Sequence, residues 1–298
     1  MGSGYYSFSV ASDRAEIRAK RSISQNFTSH CMDTEMFLGD KIREARDSED
    51  HPQSFPIIIA LDVTGSMGSI PQDLITNSLP KIMKKIMDEG VQDPQILFLG
   101  IGDHYYDKAP VQVGQFESSD ELMEKWLMKT WIEHGGGPND GESYFLAWYI
   151  AARHTVTDSW EKRHKKGVLI TIGDEPTLNS ITKNDLKKFG FTEQDEITAE
   201  QMLAEAREKW AVYHINVKDY AGNRYMTRDS WSKLLGQNLV ETQTSDGSDV
   251  DKIISGIVIS EYKGGSGESG EVENHEPEHA TQTASDTPLP EIEVNPFL

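Results

Sequence analysis

Three oxygen-bearing side chains, Asp62, Thr64 and Ser66, stand at alternate positions in Asp-Val-Thr-Gly-Ser-Met, directly after the apolar run 55–61. Leaving a strand at i, i+2 and i+4, an extended-to-turn backbone can aim all three to one side. A further acid, Asp174, follows a second apolar run, 167–172. One or two carboxylates with neutral hydroxyls form a hard, oxygen-only donor set with room for water. That set suits Mg²⁺, which prefers octahedral oxygen ligation and keeps several waters; Mn²⁺ and Ca²⁺ use the same donor type. The glycine-rich stretch Gly135-Gly-Gly-Pro-Asn-Asp-Gly141 adds Asn139 and Asp140.

Each of these features has a plainer reading. Asp, Thr and Ser are common turn and cap residues between a strand and a helix, and a run of glycines is often only a connection. Asp174 and Glu175 can do acid–base work, but the nearby sequence offers no nucleophile–base pair. His104, His134, His154 and His164 lack metal-ligand spacing. Neither a Gly-Lys-Ser/Thr phosphate loop nor a Gly-x-Gly-x-x-Gly fingerprint occurs. The expectation is a binding protein rather than an enzyme. Its alternatives are a metal-assisted hydrolase or kinase-associated accessory, and a scaffold with a degenerate metal site.

The elements that must position these residues follow from the apolar pattern. Residues 55–61, 96–101 and 167–172 are continuous apolar runs with β-branched members, the mark of strands buried on both faces of a parallel sheet. Residues 111–116 read as an edge or hairpin strand, 211–217 as another strand, and 239–241 as a short one. Helices are expected at 70–87, 118–132, 142–154, 198–210 (with a Thr198…Gln201 capping box), 228–236 and 249–262. Strands alternating with helices predict an α/β fold: a doubly wound, mostly parallel central sheet with helices on both faces, Rossmann-like. Such sheets bind ligands beyond the carboxyl ends of their strands, near a topological switch point. Asp62 and Asp174 both belong there. Residues 1–54 read as an N-terminal arm with a helix near 11–21, 55–263 as the domain, and 264–298 as a disordered acidic tail.

Asp62-Val-Thr-Gly-Ser-Met resembles the Asp-x-Ser-x-Ser signature of the metal-ion-dependent adhesion site in von Willebrand factor A domains, with threonine for the middle serine. The glycine-rich loop before a helix is similar to that family's second motif, and Thr-Ile-Gly-Asp174 to its third, Thr-Asp-Gly, with the order changed. The likeness spans 55–262 and leans toward bacterial and phage-type members. It implies that Thr64 and Ser66 ligate a metal through hydroxyls, and that Asp62 and Asp174 bind it directly or through water. The family's second-motif threonine falls at Gly137 or Pro138, so Asn139 or Asp140 would substitute. Asp103, ending the second run, would stand behind the ligands. The implied partner is a protein presenting an Asp or Glu to the metal.

Composition narrows the partners. The 298 residues carry a net charge of −20, and without the tail, which holds eight acids and no Lys or Arg, it is −12 (−20 + 8). No basic stripe suits nucleic acid. No apolar stretch approaches the ~20 residues of a membrane span, and no signal-peptide pattern opens the chain. The single cysteine, Cys31, excludes an intrachain disulfide and suits a reducing compartment. A cytoplasmic protein is expected. The tail's apolar-and-acidic end, 289–298, also reads as a docking peptide or as a carboxylate supplier to the domain's own metal.

Overall fold

The computed structural model describes residues 4–67, 70–135, 137–139, 141–193, 195–217, 224–242 and 248–264. The 264–298 tail, past Gly264, lies outside the described residues, as does Asp140. In chain order the helices are α1 (Phe8–Ala19), α2 (Ile23–Asn26), α3 (Ile70–Asp73), α4 (Leu79–Asp88), α5 (Asp120–Lys129), α6 (Phe145–Arg153), α7 (Asp158–Arg163), α8 (Lys183–Lys188), α9 (Ala199–Lys209), α10 (Arg224–Leu235) and α11 (Val250–Gly264). The strands are β1 (Arg43–Ala45), β2 (Phe55–Asp62), β3 (Pro94–Ile101), β4 (Val111–Val113), β5 (Thr155–Thr157), β6 (Gly167–Gly173), β7 (Ser180–Ile181), β8 (Ile197–Thr198), β9 (Trp210–Asn216) and β10 (Leu239–Glu241).

Six strands form the central sheet in the order β10-β9-β6-β2-β3-β4, parallel except for β4, which runs antiparallel to β3. This is the doubly wound α/β architecture expected from the apolar runs. All eight residues of β2 are buried. Because successive side chains alternate faces, Ile57, Ile59 and Leu61 join one core with α4, α5 and α11. Ile58 and Ala60 join the other with α6, α9 and Trp231 of α10. Helices therefore cover both faces, and the strands need no polar side. Among the described residues no helix is long and apolar enough to cross a membrane.

The sequence pattern departs from the structure at informative points. The helix expected over 70–87 is interrupted by a π turn at Leu74–Ser78. Pro80 sits at the start of α4 and has no N–H for the Thr76 carbonyl, so the wider turn absorbs the missing bond. The segment read as an arm folds onto the sheet body. Arg14 of α1 pairs with Asp120 and Glu124 of α5, and β1 pairs in parallel with β5. Asp47 meets Arg163 at 2.7 Å. Burial alone would raise Asp47, but Arg163, Ser54 and Lys162 outweigh it and hold this carboxyl well below the ordinary range.

The Thr198…Gln201 capping box forms as expected. Thr198 Oγ1 accepts from Gln201 N at 3.2 Å, and Gln201 Oε1 accepts from Thr198 N at 2.9 Å. Thr198→Ala leaves an orphan N–H at the start of α9 and should cost about 1 kcal/mol. Thermal unfolding would show it as a melting temperature lowered by about 2–4 °C.

Candidate metal centre

Strand β2 departs toward β3 on one side, while β6 departs toward β9 on the other. The switch point therefore lies between β2 and β6, whose ends are level: Leu61 stands beside Ile172. Asp62, the last residue of β2, and Asp174, just past β6, flank that crevice and are 0% and 1% exposed. Asp62 Oδ1 accepts hydrogen bonds from the Thr64 backbone N–H at 2.8 Å and from the Thr64 hydroxyl at 2.5 Å. Its Oδ2 accepts from the Tyr144 hydroxyl at 2.5 Å. Burial raises the Asp62 carboxyl above the ordinary range. The Thr64 and Tyr144 bonds pull it back, and the charge on Asp174 raises it again. Those hydrogen bonds do not cancel the cost of burial.

Tyr144 reaches Asp62 from the turn before α6, and its ring is fully buried. It meets His214 at 5.2 Å and Trp231 at 5.5 Å between ring centroids. The phenol lies directly against Gly173, where an added Cβ would stand 1.8 Å from the hydroxyl oxygen. Only a residue without a side chain admits Tyr144 here.

The glycine-rich loop is sewn to the Asp62 loop through its backbone. Gly65 N donates to Gly135 O at 3.1 Å, and His134 N to Val63 O at 3.3 Å. Its far end passes through Gly141, at φ 152°, and delivers Glu142 into an extended bridge with Thr177. Glu142 N donates to Pro176 O at 2.9 Å, and Leu178 N to Glu142 O at 2.8 Å. The sequence pattern placed Glu142 in the helix, which instead begins at Phe145 because this bridge holds the preceding backbone extended. Glu142 is 5% exposed, and its carboxyl is raised first by burial, then by the charges of Asp62, Asp107, Asp103 and Glu175.

A third loop, after β3, brings two of those acids. Asp103 is fully buried, and its Oδ1 accepts from Tyr105 N at 2.8 Å. Asp107 Oδ2 accepts from Asp103 N at 2.8 Å. The Asp107 carboxylate occupies space left by two glycines: a Cβ on Gly102 or Gly135 would stand 2.3 or 2.0 Å from its oxygens. Acids from four separate loops thus share one edge of the sheet.

Of the residues singled out in the sequence, Asp62, Thr64 and Asp174 come together at this edge. Ser66 lies in the 3₁₀ turn Gly65–Met67, its side chain outside the described residues. Asn139 is in the glycine-rich loop with both side-chain polar atoms buried and without a hydrogen-bond partner among the described residues. Asp140 lies outside the described residues. Sequence reasoning missed Glu142, Tyr144 and Asp107 as members of the site. Only the acid directly after the glycine-rich loop carried a signal, and helical periodicity masked it.

The donor set tests well against a hard cation. Glu142 Oε2, Asp103 Oδ2 and Asn139 Oδ1 are buried oxygens with no hydrogen-bond partner among the described residues, which is costly unless something positive meets them. A threonine hydroxyl that gives its proton to Asp62 can meet a cation through its lone pairs. Among the described residues no three His, Cys, Asp or Glu side chains form a metal cluster by themselves. Hydroxyl or amide oxygens would have to complete the set.

Neither a protein-family profile nor a curated protein sequence matches the chain. Distant likeness exists to solved structures. The pilus adhesin SpaC of Lactobacillus rhamnosus GG is 9% identical over 74% of this chain, with a TM-score of 0.47. This chain spans only 31% of that adhesin. An aerotolerance-related membrane protein of Bacteroides fragilis is 14% identical over 69% of this chain and 98% of its own, with a TM-score of 0.40. Proximal thread matrix protein 1 of the mussel byssus is 11% identical over 68% of this chain and 47% of its own, at 0.44. Likeness this remote carries no functional argument.

Proposed function

We propose that this chain is a von Willebrand factor A-like interaction module that holds a divalent cation, Mg²⁺ in the first instance, at the carboxyl edge of its sheet. A protein partner would be recognised there through an Asp or Glu side chain. The observation that carries this reading is electrostatic. Asp62 and Glu142 are buried acids whose charged forms are disfavoured by burial and by neighbouring acids, so the edge lacks positive charge. In this reading Thr64 and Ser66 ligate through hydroxyls, and Asp62 and Asp174 ligate directly or through water. Asn139 or Asp140 adds an oxygen from the glycine-rich loop, and Glu142 adds negative charge behind them. A bound cation would supply a coordination position that a partner's carboxylate can take in place of water. The chain's own residues position the ligands. Tyr144 and Thr64 fix the Asp62 carboxylate, and the Gly65–Gly135 bond keeps two ligand loops in register.

Calorimetric titration of Mg²⁺ and of Mn²⁺ into the wild type and Asp62→Ala tests the reading. Saturable binding is expected in the wild type, together with a rise in unfolding free energy of about 2.7 kcal/mol at a hundred times the dissociation constant. Asp62→Ala should lose both while its circular dichroism stays native. A wild type that shows neither heat nor thermal shift with either ion at concentrations on the order of 10 mM would overturn the proposal.

A further inference from the structure

We infer that Trp231 of α10 is the positioning residue of this sheet edge: one buried indole holds in place both loops that carry its central carboxylates, Asp62 and Asp174. The inference rests on the metal reading of the edge and goes beyond it, because it gives a role to a helix that supplies none of the proposed ligands.

Trp231 is 0% exposed. Its Nε1–H donates to the Glu175 carbonyl oxygen at 2.9 Å, one residue past Asp174. The neighbouring carbonyls are held by backbone: Gly173 O accepts from Val217 N at 2.8 Å, and Pro176 O from Glu142 N at 2.9 Å. Trp231 adds a side-chain donor to that row, from 56 positions along the chain. The same ring packs against Tyr144 at 5.5 Å between centroids, and the Tyr144 hydroxyl donates to Asp62 Oδ2. Because the phenol also abuts Gly173, its place depends on what stands behind it. The indole is itself locked. It stacks on His214 of β9 at 3.7 Å and 11°, and meets Trp148 of α6 edge-on at 6.0 Å and 78°.

Such a support matters because the two acids repel. Both are buried, and the charge on Asp174 disfavours the charged form of Asp62. Repelling carboxylates keep their spacing only where the surrounding packing holds them, and Mg²⁺ tolerates little departure from octahedral geometry. Groups that orient ligands from behind typically contribute 10- to 100-fold in metal affinity. The plainer role for a buried tryptophan is to fill the core, and the chain contains a matched comparison. Trp210 is 2% exposed, and its Nε1–H donates to Ala151 O at 3.0 Å. It lies beside Gly167 at the amino end of the sheet. Both indoles satisfy a buried carbonyl, but only that of Trp231 belongs to a loop of the proposed centre.

Mg²⁺ is titrated calorimetrically into the full chain as wild type, Trp231→Phe and Trp210→Phe, and amide hydrogen exchange is measured on all three in chelator. Each variant loses a buried hydrogen bond and ring volume, so both should melt lower. Only Trp231→Phe should bind Mg²⁺ about tenfold more weakly. Only there should the Glu142 and Thr64 amides, which donate to Pro176 O and Asp62 Oδ1, exchange about tenfold faster than the loss of global stability accounts for. If Trp231→Phe does not fold, replacing Trp231 by 3-benzothienylalanine keeps a bicyclic ring and removes the N–H. Unchanged Mg²⁺ affinity in a folded variant at position 231 would overturn the inference, as would an equal loss in Trp210→Phe. A wild type that binds no Mg²⁺ counts against the metal reading instead. Exchange in chelator then decides the positioning role, which fails if the Glu142 and Thr64 amides open no faster than global unfolding predicts.

Discussion

Gly173→Ala is expected to destabilise the protein by about 3 kcal/mol, at the upper end of ordinary overpacking. The new methyl group would stand 1.8 Å from the Tyr144 hydroxyl oxygen and 2.4 Å from the ring carbon that carries it. Neither atom can retreat cheaply. The phenol is fully buried, packs against His214 and Trp231, and donates to Asp62. Moving it would leave Asp62 Oδ2 without that donor inside the sheet edge, a loss of about 1–3 kcal/mol that is part of this total. Differential scanning calorimetry should therefore show a fall in melting temperature of about 6–12 °C. A double-mutant cycle isolates the cause. In a Tyr144→Ala background, itself destabilised, the same Gly173→Ala change should cost less than about 1 kcal/mol. Equal costs in the two backgrounds would mean that the contact with Tyr144 is not what requires glycine.

This dependence of the site on a distant ring shows which parts of the molecule local text encodes. Strands β2, β3 and β6 were readable because burial on both faces demands a continuous apolar run, and such a run needs no knowledge of its neighbours. Asp62, Thr64 and Asp174 were readable for a related reason: they leave those strands at the edge where parallel sheets bind ligands. Tyr144 was not, because the bond that matters joins residues 82 positions apart and Tyr-Phe-Leu-Ala-Trp reads simply as the start of an apolar helix. Glu142 was absorbed into the same helix, since the partners that hold it extended, Pro176 and Leu178, lie on another loop. Asp107 depends on two glycines that the sequence presents as unrelated. The fold was written in periodicity, whereas much of the site was written in long-range steric fit.

Glu142→Gln should make the metal-free protein more stable at alkaline pH and flatten its pH profile, and the sign follows from proton counting. Glu142 is raised from its ordinary value of 4.5, first by burial and then by the acids around it. Above the unfolded value the folded state therefore holds a proton that the unfolded state has released. Stability falls as pH rises wherever the native state binds more protons. Glu142's contribution is complete below its unfolded value and is lost as pH climbs through the folded one, at up to about 1.4 kcal/mol per pH unit.

Other groups shape the same curve. His104, His154 and His214 are all lowered by burial. They bind fewer protons when folded, so they make stability rise with pH until their unfolded value of 6.5 is passed. Asp47 acts only in acid: its contribution is present above its unfolded value of 3.8 and is lost below it. Between pH 7 and 9 the histidine contributions have levelled off, and the raised acids dominate. Urea unfolding in chelator should show the wild type losing stability across that interval, with Glu142→Gln nearly level, a gap that widens with pH. Parallel profiles for the two proteins would remove Glu142 as the cause. Saturating Mg²⁺ should restore the wild type most at the alkaline end, because a cation favours the deprotonated acids and its binding releases their protons. In Glu142→Gln that recovery should be smaller, which links the excess of negative charge at the sheet edge to the ion proposed to answer it.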